Sequence, residues 1–218
     1  MNDMFAERLD EISCRASKDI GSESHMQAML NGSVNADQYV KFLFNLYPIV
    51  LNFCPIMAVA AGNSLDVEKH HLKQYFFDHL LEEMGHEQMV LNDIKSFRVD
   101  IDADTLSAFP IPPVQAMLAF NHRLAATNPC GVLGMIYVLE MMAYFYGGRV
   151  ANAISGSLSR SLTEGFTFLN SHANLDENHF VKIKEYIVSM KIKKDRQSIL
   201  NAVEVNLYFF KDFISFAA

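Results

Sequence analysis

Apolar residues recur along this chain at spacings of three and four, and the pattern predicts helix after helix. A first amphipathic segment runs from about Asp3 to Lys18, and a second opens at Ser22 and Ser24 and stops at Gly32, which suits a C-cap. Asp37 starts a long apolar helix to about Ala61. The periodicity resumes from Val67 to Phe97, with Gly85 inside it, and breaks at "VDIDAD" and "FPIPP". Further helices are expected from about Val114 to Ala125, from Cys130 (behind Pro129) to Ile154, from Leu162 to Met190 and from Asp195 to Phe213. No stretch alternates with period two, and no hairpin signal interrupts the series. The expected fold is an all-α bundle of about seven to eight helices in a single domain over residues 1–218.

Composition narrows the classes of function. Half of the 218 residues are hydrophobic and the formal net charge is −7, without a basic run, so no nucleic-acid partner is expected. Cys14, Cys54 and Cys130 show no CxxC pairing, which argues against a disulfide framework and for a reducing, cytoplasmic setting. The N-terminal stretch is charged throughout and carries no export signal. Residues 43–61 are apolar, but Asn45, Pro48, Asn52 and Pro55 interrupt them, so a buried core helix is expected and no membrane partner.

Three segments carry candidate chemistry. In "HANLDENH", His172, Asp176 and His179 stand at i, i+4 and i+7, on one helix face. Alone, this trio reads equally well as metal ligands or as a solvated face. In "HLLEEMGH", Glu83 and His86 form Glu-x-x-His, a spacing that helical bundles use for metal pairs, and His79 lies one turn before Glu83. Gly85 would make room there for a ligand or a neighbouring helix, while Glu82 and Glu87 read as an outer face. Glu140 is the only charged residue between Cys130 and Arg149, and a carboxylate in so apolar a helix calls for a partner. Mixed imidazole and carboxylate donors without thiolates disfavour iron–sulfur and structural zinc sites and suit non-haem iron or manganese. Tyr137, Met141, Tyr144 and Phe145 form a stripe that could line a pocket or simply fill the core.

The order "EEMGHE", then Glu140, then "HANLDENH" resembles the heme-oxygenase-like diiron oxidases, the iron-containing redox enzymes. The opening stretch "HMQAMLNGSVNADQYVKFLFNLYPIV" resembles the wider superfamily of heme oxygenase, PqqC and TenA. The resemblance implies a heme-oxygenase-like (TenA-like) bundle and an Fe(II)/Fe(III) pair, with manganese as the variant and no haem. It implies ligands at Glu83, His86, Glu140, His172, Asp176 and His179, and no catalytic residue separate from them. The implied reaction uses dioxygen to oxidise a small amino-acid-like or fatty-acid-like substrate. Many members separate the first glutamate from its histidine by seven positions, so His79 competes with His86 for that place. A homodimer is compatible with this reading. Two relatives offer other functions. A TenA-like aminopyrimidine hydrolase would cast Cys130 as nucleophile with Glu204, and a haem-binding protein would use His25 with "YGGRVANAISG".

Overall fold

The computed structural model describes residues 4–65, 70–108 and 110–216, and of residues 104, 107, 108 and 172–178 it describes the helical backbone alone. The described residues form helices α1 (Met4–Gly21), α2 (Ser24–Leu30), α3 (Ala36–Asn63), α4 (His70–Glu83), α5 (His86–Ser96), α6 (Ala103–Ala108), α7 (Pro112–Thr127), α8 (Val132–Met142), α9 (Gly148–Ser157), α10 (Thr167–Ser189) and α11 (Lys193–Phe216). No strand occurs among them. The bundle is all-α, as the periodicity predicts, with α6 added in the stretch read as a break and three further departures from the expected helices.

The first cut is at Gly85. Its φ of +95° is a left-handed conformation that stops α4 at Glu83 and restarts the chain as α5 at His86. The expectation that Gly85 makes room for a neighbour is corrected, because a Cβ there would meet nothing within 4 Å. Its backbone freedom is what the position uses. The second cut divides the expected Cys130–Ile154 helix. A 3-10 turn (Pro129–Gly131) leads into α8, and a π turn (Ala143–Gly147) joins α8 to α9. The third removes the start of the expected Leu162–Met190 helix, since turns over 161–165 delay α10 to Thr167.

Capping follows local chemistry. Asn35 and Gln38 close a capping box on α3, with Asn35 Oδ1 accepting from Gln38 N at 2.9 Å and Gln38 Oε1 accepting from Asn35 N at 2.9 Å. Neither Ser22 nor Ser24 caps α2; Ser22 Oγ instead donates back to Asp19 O at 2.8 Å. Gly32 does take the left-handed conformation expected at the end of α2, with φ +64°.

Helix α3 runs through the molecule and packs against α4, α5 and α7, while α11 packs against α7 and α8. Gly134 lets α8 lie tight on α11, since a Cβ there would come 2.7 Å from Ala202 Cβ. α10 packs against α5, α8, the π turn and α9. Buried apolar side chains from α1 to α11 join one continuous core. Two stretches, Ala36–Asn63 and Pro129–Ser157, are long and apolar enough to cross a membrane, yet 56% and 78% of their most apolar windows are buried inside the molecule.

Candidate metal centre

α4, α8 and α10 bring four ligand-bearing side chains together: His79, Glu83, Glu140 and His179. Each is at most 9% exposed, and one ligand atom from each lies within 4.8 Å of all the others. His79 and Glu83 share a face of α4 as an i, i+4 pair. Glu140 comes from the middle of apolar α8, and His179 from the second half of α10.

The distances define an inner surface. His79 Nε2 lies 3.2 Å from Glu140 Oε1, but off the alignment of a hydrogen bond. His179 Nδ1 lies 3.6 Å from Glu83 Oε1 and 3.8 Å from Glu140 Oε2. His79 Nε2, His179 Nδ1 and Glu140 Oε2 are all buried without a hydrogen-bond partner among the described residues. Buried polar atoms are ordinarily satisfied, because each one left bare costs about 1–3 kcal/mol. Two nitrogen lone pairs and a carboxylate oxygen converging in this way fit a divalent cation of the iron or manganese type.

Aromatic rings frame His79. Phe53 meets it edge-on at 5.8 Å, Tyr75 stacks on it at 5.8 Å, and His179 meets it edge-on at 5.6 Å. Burial alone would lower the pKa of His79, but Glu140, Glu83 and Glu82 together outweigh that and raise it. Tyr75 is pushed far up, by burial first and then by the nearby carboxylates.

His86 stands one step outside the four. Its Nδ1 donates to Glu83 Oε2 at 2.7 Å, and its side chain is 13% exposed. Glu83 thus has one oxygen toward His179 and the other on His86. The Glu-x-x-His pair meets across the Gly85 break rather than along one helix. His172 and Asp176 lie outside the residues whose side chains the structure describes. Glu82, read from the sequence as outer face, is 43% exposed yet reaches inward. Its Oε2 lies 3.6 Å from His79 Nδ1 and 3.4 Å from His179 Nε2. An i+3 offset from His79 was the available signal, hidden by its solvent-side position.

Helix α10 is held at its start by a buried acid that the sequence did not single out. Asp93 of α5 is 1% exposed; its Oδ1 accepts from Thr167 N at 3.0 Å and Thr167 Oγ1 at 2.8 Å, and its Oδ2 accepts from Phe168 N at 2.9 Å. These are first-turn donors of α10, whose own N-cap, Phe166, offers no side-chain bond.

An apolar cavity of about 100 Å³ adjoins the cluster, lined by residues of α2, α3, α8, the π turn, α9, α10 and α11, with Glu83 and Glu140 as its charged wall. From the α8–α9 segment it takes Leu139, Met142, Ala143, Tyr146, Gly147 and Val150. Tyr137, Met141, Tyr144 and Phe145 do not line it, which corrects that expectation. These four lie on the helix face opposite Leu139, Ala143 and Tyr146. Tyr137 bonds Ser13 Oγ at 2.7 Å, Met141 is buried elsewhere in the core, and Tyr144 and Phe145 pack on Phe180.

Of the residues for the other two readings, Tyr146, Gly147 and Val150 of "YGGRVANAISG" line this cavity, while Cys130, Glu204 and His25 do not. Cys130 is fully buried in the 3-10 turn and does not line it, while Glu204 is exposed, 3.6 Å from Arg8. His25 is buried in α2 but is not a lining residue. Of the three cysteines, Cys14 is exposed, Cys54 partly buried and Cys130 buried.

The sequence pattern of the iron-containing redox enzymes matches residues 40–207. No curated protein matches the chain. Among solved structures, a domain of unknown function with a heme oxygenase-like fold from Shewanella denitrificans superposes with a TM-score of 0.83 at 23% identity, covering 100% of this chain and 92% of that one. A TenA homolog from Pseudomonas syringae pv. tomato gives 0.80 at 14% identity, covering 98% and 92%. The heme oxygenase of Leptospira interrogans gives 0.76 at 15% identity, covering 98% and 99%. At these identities the likeness establishes the fold. With the pattern matched over most of its length, this chain belongs to the iron-containing redox enzyme family and has the heme oxygenase-like fold.

Proposed function

We propose that the chain is a non-haem diiron oxidase, acting with dioxygen on a small organic substrate that has an apolar body. The observation that carries this reading is the trio of buried atoms without a hydrogen-bond partner among the described residues, His79 Nε2, His179 Nδ1 and Glu140 Oε2, beside an apolar cavity that Glu140 helps to line. His79, Glu83, Glu140 and His179 would hold one iron. His86, His172 and Asp176 would complete the pair, with Glu83 reaching both sides; manganese suits the same donors. A bound iron pair supplies one-electron and dioxygen chemistry.

The protein's own groups supply position and dryness. Glu83 and Glu140 face both the cluster and the cavity, so a substrate body lying in the cavity is held against the ligand edge. Leu46, Phe53, Leu139 and Phe168 line the cavity and keep water from it. Its lining carries no cationic side chain among the described residues, so the substrate's polar end is oriented from the metal side. A cavity of about 100 Å³ is small beside the roughly 300–1,000 Å³ of ordinary cofactor pockets, which favours a slim substrate over a macrocycle. Three cysteines without a CxxC pairing fit a cytoplasmic enzyme.

Anaerobic reconstitution with ferrous iron tests the reading. The wild-type chain should take up an iron pair and consume dioxygen in the ferrous state. His172→Ala and His79→Ala should lose iron and oxygen uptake together, while Cys130→Ala keeps both. Unchanged iron binding in His172→Ala would overturn the dinuclear site.

A further inference from the structure

Each imidazole of the cluster has an inner and an outer nitrogen. The inner ones, His79 Nε2 and His179 Nδ1, face Glu140 and Glu83 and have no hydrogen-bond partner among the described residues. The outer ones, His79 Nδ1 and His179 Nε2, face the same atom, Glu82 Oε2, at 3.6 and 3.4 Å. The other oxygen of Glu82 lies 3.6 Å from Lys182 Nζ, so this carboxylate is itself tied to α10. The two rings stand nearly at right angles, with 68° between their planes, and still present an edge to one oxygen.

A neutral imidazole carries one N–H and one lone pair, and a carboxylate accepts but cannot donate. Inner carboxylates at 3.2–3.8 Å pull the ring proton the other way, so an acceptor on the outer edge is what can favour the tautomer with the proton outside and the lone pair inside. For His79 that tautomer is Nδ1–H, and for His179 it is Nε2–H. The two rings must be protonated at differently named atoms, and one carboxylate meets both requirements. We infer that Glu82 is a positioning residue that sets ring orientation and tautomer in both His79 and His179, preparing their inner nitrogens to bind metal together. This rests on the proposed metal site, and it gives work to a side chain whose exposure marks it as ordinary surface. Carboxylates behind metal-binding imidazoles typically change metal affinity by about 10–100-fold when removed.

The test uses the full chain in wild-type, Glu82→Ala and Glu82→Gln forms. Ring-nitrogen NMR of the metal-free protein, at a pH where both rings have titrated to the neutral form, should find His79 as Nδ1–H and His179 as Nε2–H in the wild type, and mixed tautomers in Glu82→Ala. Glutamine keeps an oxygen acceptor, so Glu82→Gln should retain the tautomers. Ferrous-ion affinity, titrated anaerobically, should fall about 10–100-fold in Glu82→Ala and recover largely in Glu82→Gln. The melting temperature should change little, because Glu82 is 43% exposed. Equal affinity and equal tautomers in wild type and Glu82→Ala would overturn the inference while leaving the metal site standing. If the wild type takes up no ferrous ion, the metal site fails instead. The NMR comparison on metal-free protein then decides the positioning role, with unchanged tautomers refuting it.

Discussion

Replacing Asp93 with alanine tests how the site's helix is held. Asp93 accepts three hydrogen bonds at the start of α10: from Thr167 N at 3.0 Å, Thr167 Oγ1 at 2.8 Å and Phe168 N at 2.9 Å. Truncation leaves the buried Phe168 N–H bare, at about 1–3 kcal/mol, and removes a helix cap, at about 0.5–2 kcal/mol. The partly buried Thr167 donors can turn to water and add less. Against this stands the burial of the carboxylate, which raises its pKa despite those three bonds. Removing an acid whose ionised form burial disfavours returns part of that loss. A net loss of about 1–3 kcal/mol is expected, which for a chain of this size lowers the melting point by roughly 2–4 °C per kcal/mol. Urea unfolding followed by helical circular dichroism measures the free energy, and ferrous titration measures the site. Because α10 carries His179, metal affinity should fall as well, and Asp93→Asn should lie between alanine and wild type. An Asp93→Ala protein within about 0.5 kcal/mol of wild type, the range of an ordinary surface substitution, would refute the capping role.

The raised pKa of His79 gives a pH dependence with a definite sign. Protonated His79 beside Glu140 stabilises the metal-free fold below the unfolded pKa of about 6.5, and this contribution is lost as pH rises through the raised folded value. Metal-free protein should therefore lose stability above neutral pH, in a calorimetric series where His79→Gln stays flatter, while ferrous affinity climbs over the same range as the proton leaves. A His79→Gln series that parallels the wild type would exclude His79 as the source. Gly85→Ala forces a left-handed conformation on a residue with a Cβ and should cost about 1–2 kcal/mol. Since a Cβ there meets no neighbour, the loss should come from the backbone alone, so Gly85→Asn, which tolerates that conformation better, should recover part of it in the same melting assay. Cys130→Ala should lower the melting point by a few degrees through a small core void and leave ferrous binding intact; loss of iron in this variant would tie the thiol to the site.

Much of the architecture was legible in local pattern. Three- and four-residue spacing of apolar positions predicts the helices, because an amphipathic helix must turn one face to the core wherever it packs. Glu140 was legible for a related reason: an acid inside the apolar run of α8 has no solvated face to occupy, so it must find a partner. Gly32 at the end of α2 and the Asn35/Gln38 box at the start of α3 are decided by residues within a few positions of each other. Long-range geometry decided the rest. Whether Gly85 continues a helix or breaks it depends on how α4 and α5 pack on α3, and the break moved His86 to the edge of the cluster while leaving His79 in it. Which face of the α8–α9 segment turns to the cavity was also decided by packing, and the Leu139, Ala143 and Tyr146 face does so rather than the opposite Tyr137, Met141 and Tyr144 face. Glu82 looks like surface because solvent reaches it, and only the approach of α10 puts a second imidazole against the same oxygen. Propensity and periodicity act within a turn or two of helix, so the chain by itself determined which residues could be ligands. The packing of α4, α8 and α10, which are far apart in sequence, determined which of them meet.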